Sequence, residues 1–81
     1  MKEVFVKKYW AEEDTLYYIH FHGRNAVSQI EIRKGSKVFL STENPLQGDS
    51  MLYDQSLEDL DLDKNDFISQ DEFMRAWNEK K

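Results

Sequence analysis

Residues 16–22 read Leu16-Tyr17-Tyr18-Ile19-His20-Phe21-His22, and the architecture follows from them. The run holds no Gly, Pro, Asp or Asn and is dense in the aromatic and β-branched residues that suit a pleated, half-buried surface, so it predicts a strand. Side chains alternate across a strand, which places Tyr17, Ile19 and Phe21 on one face and Leu16, Tyr18, His20 and His22 on the other. The first set is the more apolar and is expected to face the core. Before this strand, Ala11-Glu12-Glu13-Asp14 is a polar turn, and Val4 to Trp10 is another run of strand formers. After it, Gly23-Arg24-Asn25 is a turn in which Gly and Asn accept positive φ. Ala26 to Arg33 alternates again, with Ala26, Ser28, Ile30 and Ile32 on one side and Val27, Gln29, Glu31 and Arg33 on the other. Lys34-Gly35-Ser36 turns the chain into a short fourth strand around Val38-Phe39-Leu40. Connections of about 3–5 residues leave no length for parallel crossovers, so residues 1–41 are expected to form a four-stranded antiparallel meander.

Residues 42–52 hold the only Pro, Pro45, and the last Gly, Gly48, and read as a loop. From Met51 onward there is neither Gly nor Pro. Leu52, Tyr53, Leu57 and Leu60 fit one face of a short helix, and Phe73, Ala76 and Trp77 recur at i, i+3, i+4 in a second helix from about Gln70 to Glu79. Lys80-Lys81 suits the C-terminal end of that helix. The expected fold is therefore α+β in one domain of 81 residues: the meander, the loop, and a helix–loop–helix over 53–79 packed on the apolar face of the sheet.

Between the two expected helices lies Asp61-Leu62-Asp63-Lys64-Asn65-Asp66-Phe67-Ile68-Ser69-Gln70-Asp71-Glu72. Calcium takes six to eight hard oxygen ligands, and a loop that wraps such an ion turns its alternate early side chains inward. These twelve residues resemble the calcium loop of the EF-hand family. The resemblance implies Asp61, Asp63 and Asn65 as side-chain ligands at positions 1, 3 and 5, and the Phe67 carbonyl at position 7. It implies Ser69 at position 9, directly or through water, and Glu72 as the bidentate carboxylate at position 12. Ile68 stands at position 8, where the family carries an apolar anchor. Position 6 is Asp66, where the family has Gly for a sharp turn, and Asp there costs about 1 kcal/mol and adds negative charge. EF-hands usually pair, and this chain has one such loop, which must lean on the β-half, bind weakly or dimerise. The resemblance covers about 25 residues with both helices and nothing of the first half.

The same residues carry a second reading. Ser69-Gln70-Asp71-Glu72 is a capping box, in which Ser69 accepts from the Glu72 backbone N–H, and Ile68 with Phe73 forms a hydrophobic staple. Capping leaves the cluster Asp61, Asp63, Asn65 and Asp66 without a purpose; calcium gives it one. Charge is divided along the chain, with seven Lys/Arg and five Asp/Glu in residues 1–40 against four and eleven in residues 41–81. An acidic half repels nucleic-acid backbone and attracts cations or basic protein surfaces.

Other chemistry finds little support. With no cysteine, disulfides, thiolate catalysis and cysteine-based metal centres are excluded, and a cytoplasmic location is permitted. The opening residues carry four charges and no apolar run, unlike a signal peptide, and no stretch approaches the roughly 18 apolar residues of a membrane span. His20 and His22 form an H-x-H pair that could supply two zinc ligands, with Glu3 or Glu31 as a third, but read more simply as a polar strand face. Tyr9, Trp10, Tyr17, Tyr18 and Phe21 among Lys7, Lys8 and Arg24 could stack single-stranded nucleic acid, but aromatics in a small sheet more often form core. Carboxylates are plentiful, yet none sits in a motif with a known mechanism, so no enzyme is expected. Two functions remain: a small calcium-binding interaction module, or a metal-free acidic inhibitor of the immunity or phage type that blocks a basic partner. Either is expected as a monomer or weak dimer, engaging protein rather than nucleic acid or membrane.

Overall fold

The computed structural model describes residues 2–79; Met1, Lys80 and Lys81, with the expectation for the last two, lie outside the described residues. Strands β1 (Glu3–Trp10), β2 (Thr15–His22), β3 (Asn25–Arg33) and β4 (Ser36–Ser41) form the antiparallel meander. A small hairpin of β5 (Leu46–Gln47) and β6 (Ser50–Met51) follows, turning at Gly48 with φ +58°. Strand β7 (Phe67–Ile68) and helix α1 (Gln70–Asn78) complete the chain. The sheet runs in the order β4-β3-β2-β1-β7, so a fifth strand that periodicity did not reveal closes the outer edge of β1. It pairs antiparallel, Phe5 opposite Ile68 and Val6 opposite Phe67.

Both faces of the sheet are covered. On one face Val6, Ile19, Phe21, Ala26 and Leu40 are buried beneath Leu52, with Tyr53, Leu57, Leu60 and Leu62 packed around them. On the other, Phe5 and Ile30 meet Phe73 of α1, flanked by Tyr18, Phe39 and Trp77. The helix therefore rests on the face opposite Tyr17, Ile19 and Phe21, not on their face as the more-apolar-side rule predicted. Ile19 and Phe21 do lie in a core, as expected, but one covered by residues 52–62; the opposite face takes the helix because His20, counted as polar, is a flat ring here. It stacks on Phe5 at 4.3 Å between centroids and lies 5.8 Å from Phe73, presenting its apolar body to the helix.

Two further expectations are corrected. The alternation of β3 breaks at a bulge: His20 pairs with Ser28 while Phe21 pairs with Ala26, leaving Val27 as the extra residue. Ala26 thereby joins the face of Phe21 instead of the face of Ile30 and Ile32. The incoming helix over 53–60 is absent, replaced by extended backbone and a single 3-10 turn at Leu57–Asp59. The amide of Leu57, which would close the first α-helical turn, is taken elsewhere, and the Tyr53 amide at its start is tied to the sheet. Tyr53 N–H donates to Gln29 Oε1 at 2.8 Å, and Leu57 N–H donates to the Arg24 carbonyl at 2.9 Å. Eight residues form too short a helix to compete with such tertiary bonds.

Candidate functional site

The segment 61–72 carries the strongest motif, and its geometry is that of a tight turn, a two-residue strand and a capped helix in succession. Asp63 leads into a 3-10 turn over Lys64–Asp66, and the Asp66 carboxylate accepts from the Asp63 N–H at 2.9 Å. Phe67 and Ile68 then pair with β1. The Ser69 hydroxyl caps α1 by accepting from Glu72 N–H at 3.1 Å, as the capping box requires. The Glu72 carboxylate does not reach back to Ser69; it lies 3.4 Å from Lys7 Nζ. Lys8 Nζ donates to the Asp61 carbonyl at 2.8 Å and stands 3.6 Å from Asp66 Oδ2.

These positions bear on a calcium ion directly. Two lysines of β1 place ammonium groups at the loop, one on the carbonyl of position 1 and the carboxylate of position 6, the other on the carboxylate of position 12. Asp61, Asp63 and Asn65 are exposed, Ser69 Oγ is engaged with the helix, and the Phe67 backbone belongs to the sheet edge. Among the described residues no three His, Asp or Glu side chains are gathered so as to hold a metal ion. A calcium ion held by Asp61, Asp63, Asn65, Phe67, Ser69 and Glu72 would have to draw Glu72 from Lys7 and Ser69 Oγ from the helix cap. The cap itself is testable. Ser69→Ala should lower stability by about 1 kcal/mol, read as a drop in the urea midpoint at unchanged slope, with Ser69→Asp close to wild type.

With the loop's geometry given, the chain can be set beside known proteins. No protein family, curated protein or solved structure matches it.

Two other features are positioned by the fold. The first is an acidic band. Residues 49–72 hold nine carboxylates and one lysine, and the segment winds over one sheet face and around the β1 edge. Glu58, Asp66 and Glu72 face Arg24, Lys8 and Lys7 respectively. Asp49, Asp54, Asp59, Asp61, Asp63 and Asp71 are exposed and form no ion pair among the described residues.

The second is a cleft of about 360 Å³ between the sheet and residues 49–55. Its floor is a polar row on β3, Gln29, Glu31 and Arg33. Glu31 is buried, and its carboxylate accepts from Ser50 Oγ at 2.9 Å, Gln29 Nε2 at 2.9 Å and Arg33 Nη2 at 3.3 Å. Gln29 in turn donates to the Met51 carbonyl, and Arg33 Nε donates to Thr15 Oγ1. The network thus ties the covering segment to the sheet while its members stay hydrogen-bonded. Above it, Tyr17 donates its hydroxyl to Glu13 at 2.7 Å. Desolvation first, then the bond to Glu13 and the negative charge of Glu31 and Glu13, push the Tyr17 phenol up to about 12. The sequence carried a signal for this cleft: three polar residues at alternate positions of β3, on the same sheet face as Tyr17 and Ile19, where a covered sheet should be apolar.

The histidine pair is also resolved. Glu3 sits opposite His22 in the register, and its two carboxylate oxygens hydrogen-bond His20 Nε2 and His22 Nδ1. These two bonds hold the Glu3 carboxyl below its ordinary range. A depressed carboxyl stabilises the fold above its unfolded pKa and loses that contribution as pH falls through the folded value. Glu3→Gln should therefore flatten the acid limb of stability below about pH 4.5 and leave the limb above neutrality unchanged, as measured by urea midpoints across pH.

Proposed function

We propose that the chain is a non-enzymatic interaction module whose acidic segment, residues 49–72, engages a basic surface on a partner protein. The observation that carries this reading is the set of six exposed carboxylates without a cationic partner among the described residues, held on a segment anchored to both the face and the edge of the sheet. Such a field raises the rate of encounter with a positive partner and rejects acidic ones. The lysines that neutralise part of the segment belong to β1 and serve the fold, so the remaining charge is available to a partner.

The test uses the chain as bait against a random peptide library. Recovered peptides should be enriched in Lys and Arg, and their affinity should fall as salt is raised. The triple variant Asp59→Asn, Asp61→Asn, Asp63→Asn, all at exposed positions, should bind them at least tenfold more weakly. Neutral or acidic peptides that ignore both salt and the variant would overturn the reading. A calcium titration followed by amide NMR runs beside it. The expected result is an unsaturable drift of the Asp61–Glu72 amides; saturation with magnesium inert would favour the calcium module instead.

A further inference from the structure

We propose that the cleft on the β3 floor is the anchor pocket for one basic side chain of that partner, arginine best. The inference rests on the proposed acidic interaction surface and deepens it by naming what the partner inserts.

Charge around the cleft is the first reason. Its two cations are already committed: Arg33 to Glu31 and Thr15, and Lys8 to Asp66 and the Asp61 carbonyl. Its outer carboxylates are not. Glu13 meets only hydroxyl hydrogen from Tyr17, Asp54 only the Gln55 amide, and Asp49 forms no ion pair among the described residues. The lining carries four carboxylates against two cations, so its uncompensated charge is negative. Tyr17 reports the same field, since its phenol is held protonated partly by the charge of Glu13 and Glu31.

Shape and surface are the second reason. The walls offer Ile19 and Leu52, with Tyr53 on one side and Trp10 on the other. Trp10 and Tyr17 meet edge to face, 6.2 Å apart at 77°, and both line the cleft. A long aliphatic stem ending in a planar cation satisfies each element: methylenes on the apolar wall, guanidinium over an aromatic face and beside rim carboxylates. An acidic side chain would have to displace Glu31 from Arg33 and would meet Glu13, Asp49 and Asp54. Buried aromatic pockets that receive arginine are a common form of interface hot spot.

The experiment is an NMR titration at low salt with four capped pentapeptides, acetyl-Gly-Ser-X-Ser-Gly-amide, where X is Arg, Lys, norleucine or Glu. The Arg peptide should saturate shifts at the Trp10 indole and the Ile19 and Leu52 methyls below about 50 mM, while the Trp77 indole, on the opposite face, stays in place. Norleucine should bind at least fivefold more weakly than Arg, with Lys between them, and Glu should not saturate. The double variant Asp49→Asn, Asp54→Asn, at two exposed loop positions, should weaken the Arg peptide several-fold. Absence of saturation for Arg, or norleucine or Glu binding as well as Arg, overturns the pocket. The Asp59/Asp61/Asp63 triple variant lies outside the cleft. Loss of library binding in that variant with no pentapeptide binding would therefore reject the pocket and keep the acidic surface.

Discussion

Phe73→Ala should lower the unfolding free energy by about 3–5 kcal/mol, the range for emptying a fully buried aromatic site. Phe73 is 1% exposed and is the one fully enclosed residue of α1. Its ring lies 5.4 Å from Phe5, 5.8 Å from His20 and 6.0 Å from Trp77, so it joins β1, β2 and the helix at one point. A nine-residue helix is not stable alone in water. With Phe73 gone, what remains on that helix are the half-buried Ala76 and Trp77. A domain of this size has only a few kcal/mol in hand, so the variant should be largely unfolded or should lose α1 while retaining the meander. Far-UV and near-UV circular dichroism with a urea titration distinguish these from wild type. Met74→Ala, next door and 38% exposed, should change the midpoint little. Equal effects from the two substitutions would show that the helix is not held as described.

The second large effect is expected at Gln29, on the other face. Gln29 is 2% exposed and uses both ends of its amide: Oε1 accepts from Tyr53 N–H, and Nε2 donates to Glu31 Oε2 and to the Met51 carbonyl. Gln29→Leu conserves most of the volume and removes all three bonds at once. Each buried polar group left without a partner costs about 1–3 kcal/mol, so the three together cost roughly 3–9 kcal/mol unless the segment lifts away to rehydrate. Lifting is visible directly. Hydrogen exchange at Tyr53 and Leu52 should accelerate by orders of magnitude more than at Ile30, whose bonds belong to the sheet interior. Gln29→Glu, which places a second carboxylate beside Glu31, should be worse than Leu at neutral pH and partly recover in acid. Protection at Tyr53 unchanged in Gln29→Leu would refute the role given to this side chain.

The meander was legible because each strand is bounded by turn residues and because period-two patterning is local information. Helix α1 was legible for the same reason, through Ser69 at its cap and the spacing of Phe73, Ala76 and Trp77. What was not legible depends on partners far away in sequence. The bulge at Val27 depends on what β2 presents to it, and nothing in Ala26 to Arg33 marks it. The leucines at 52, 57 and 60 have helical spacing, yet their backbone is held extended by Gln29 and Arg24. The segment 61–72 shows the limit most clearly. Its spacing alone resembles an ion-wrapping loop, while Lys7 and Lys8, which stand against it, sit more than fifty residues earlier and could not be matched to it from the pattern. The cleft was missed although Gln29, Glu31 and Arg33 mark it, since what covers them, residues 49–55, lies some twenty residues further along the chain.

The two-residue strand β7 has a consequence for how this chain is made. Phe5 and Val6 find their outer neighbours only in Ile68 and Phe67, near the opposite end of the sequence. While a ribosome is still extending the chain, the meander can assemble from contacts between adjacent strands, which close quickly. Through that interval the flank of β1 stays open, with Val6 and Phe5 lining it, and is a template for any other extended polypeptide. The final closure is therefore the step at which a nascent molecule stops being adhesive, and a stalled or truncated product ending before Phe67 should self-associate where the finished one does not.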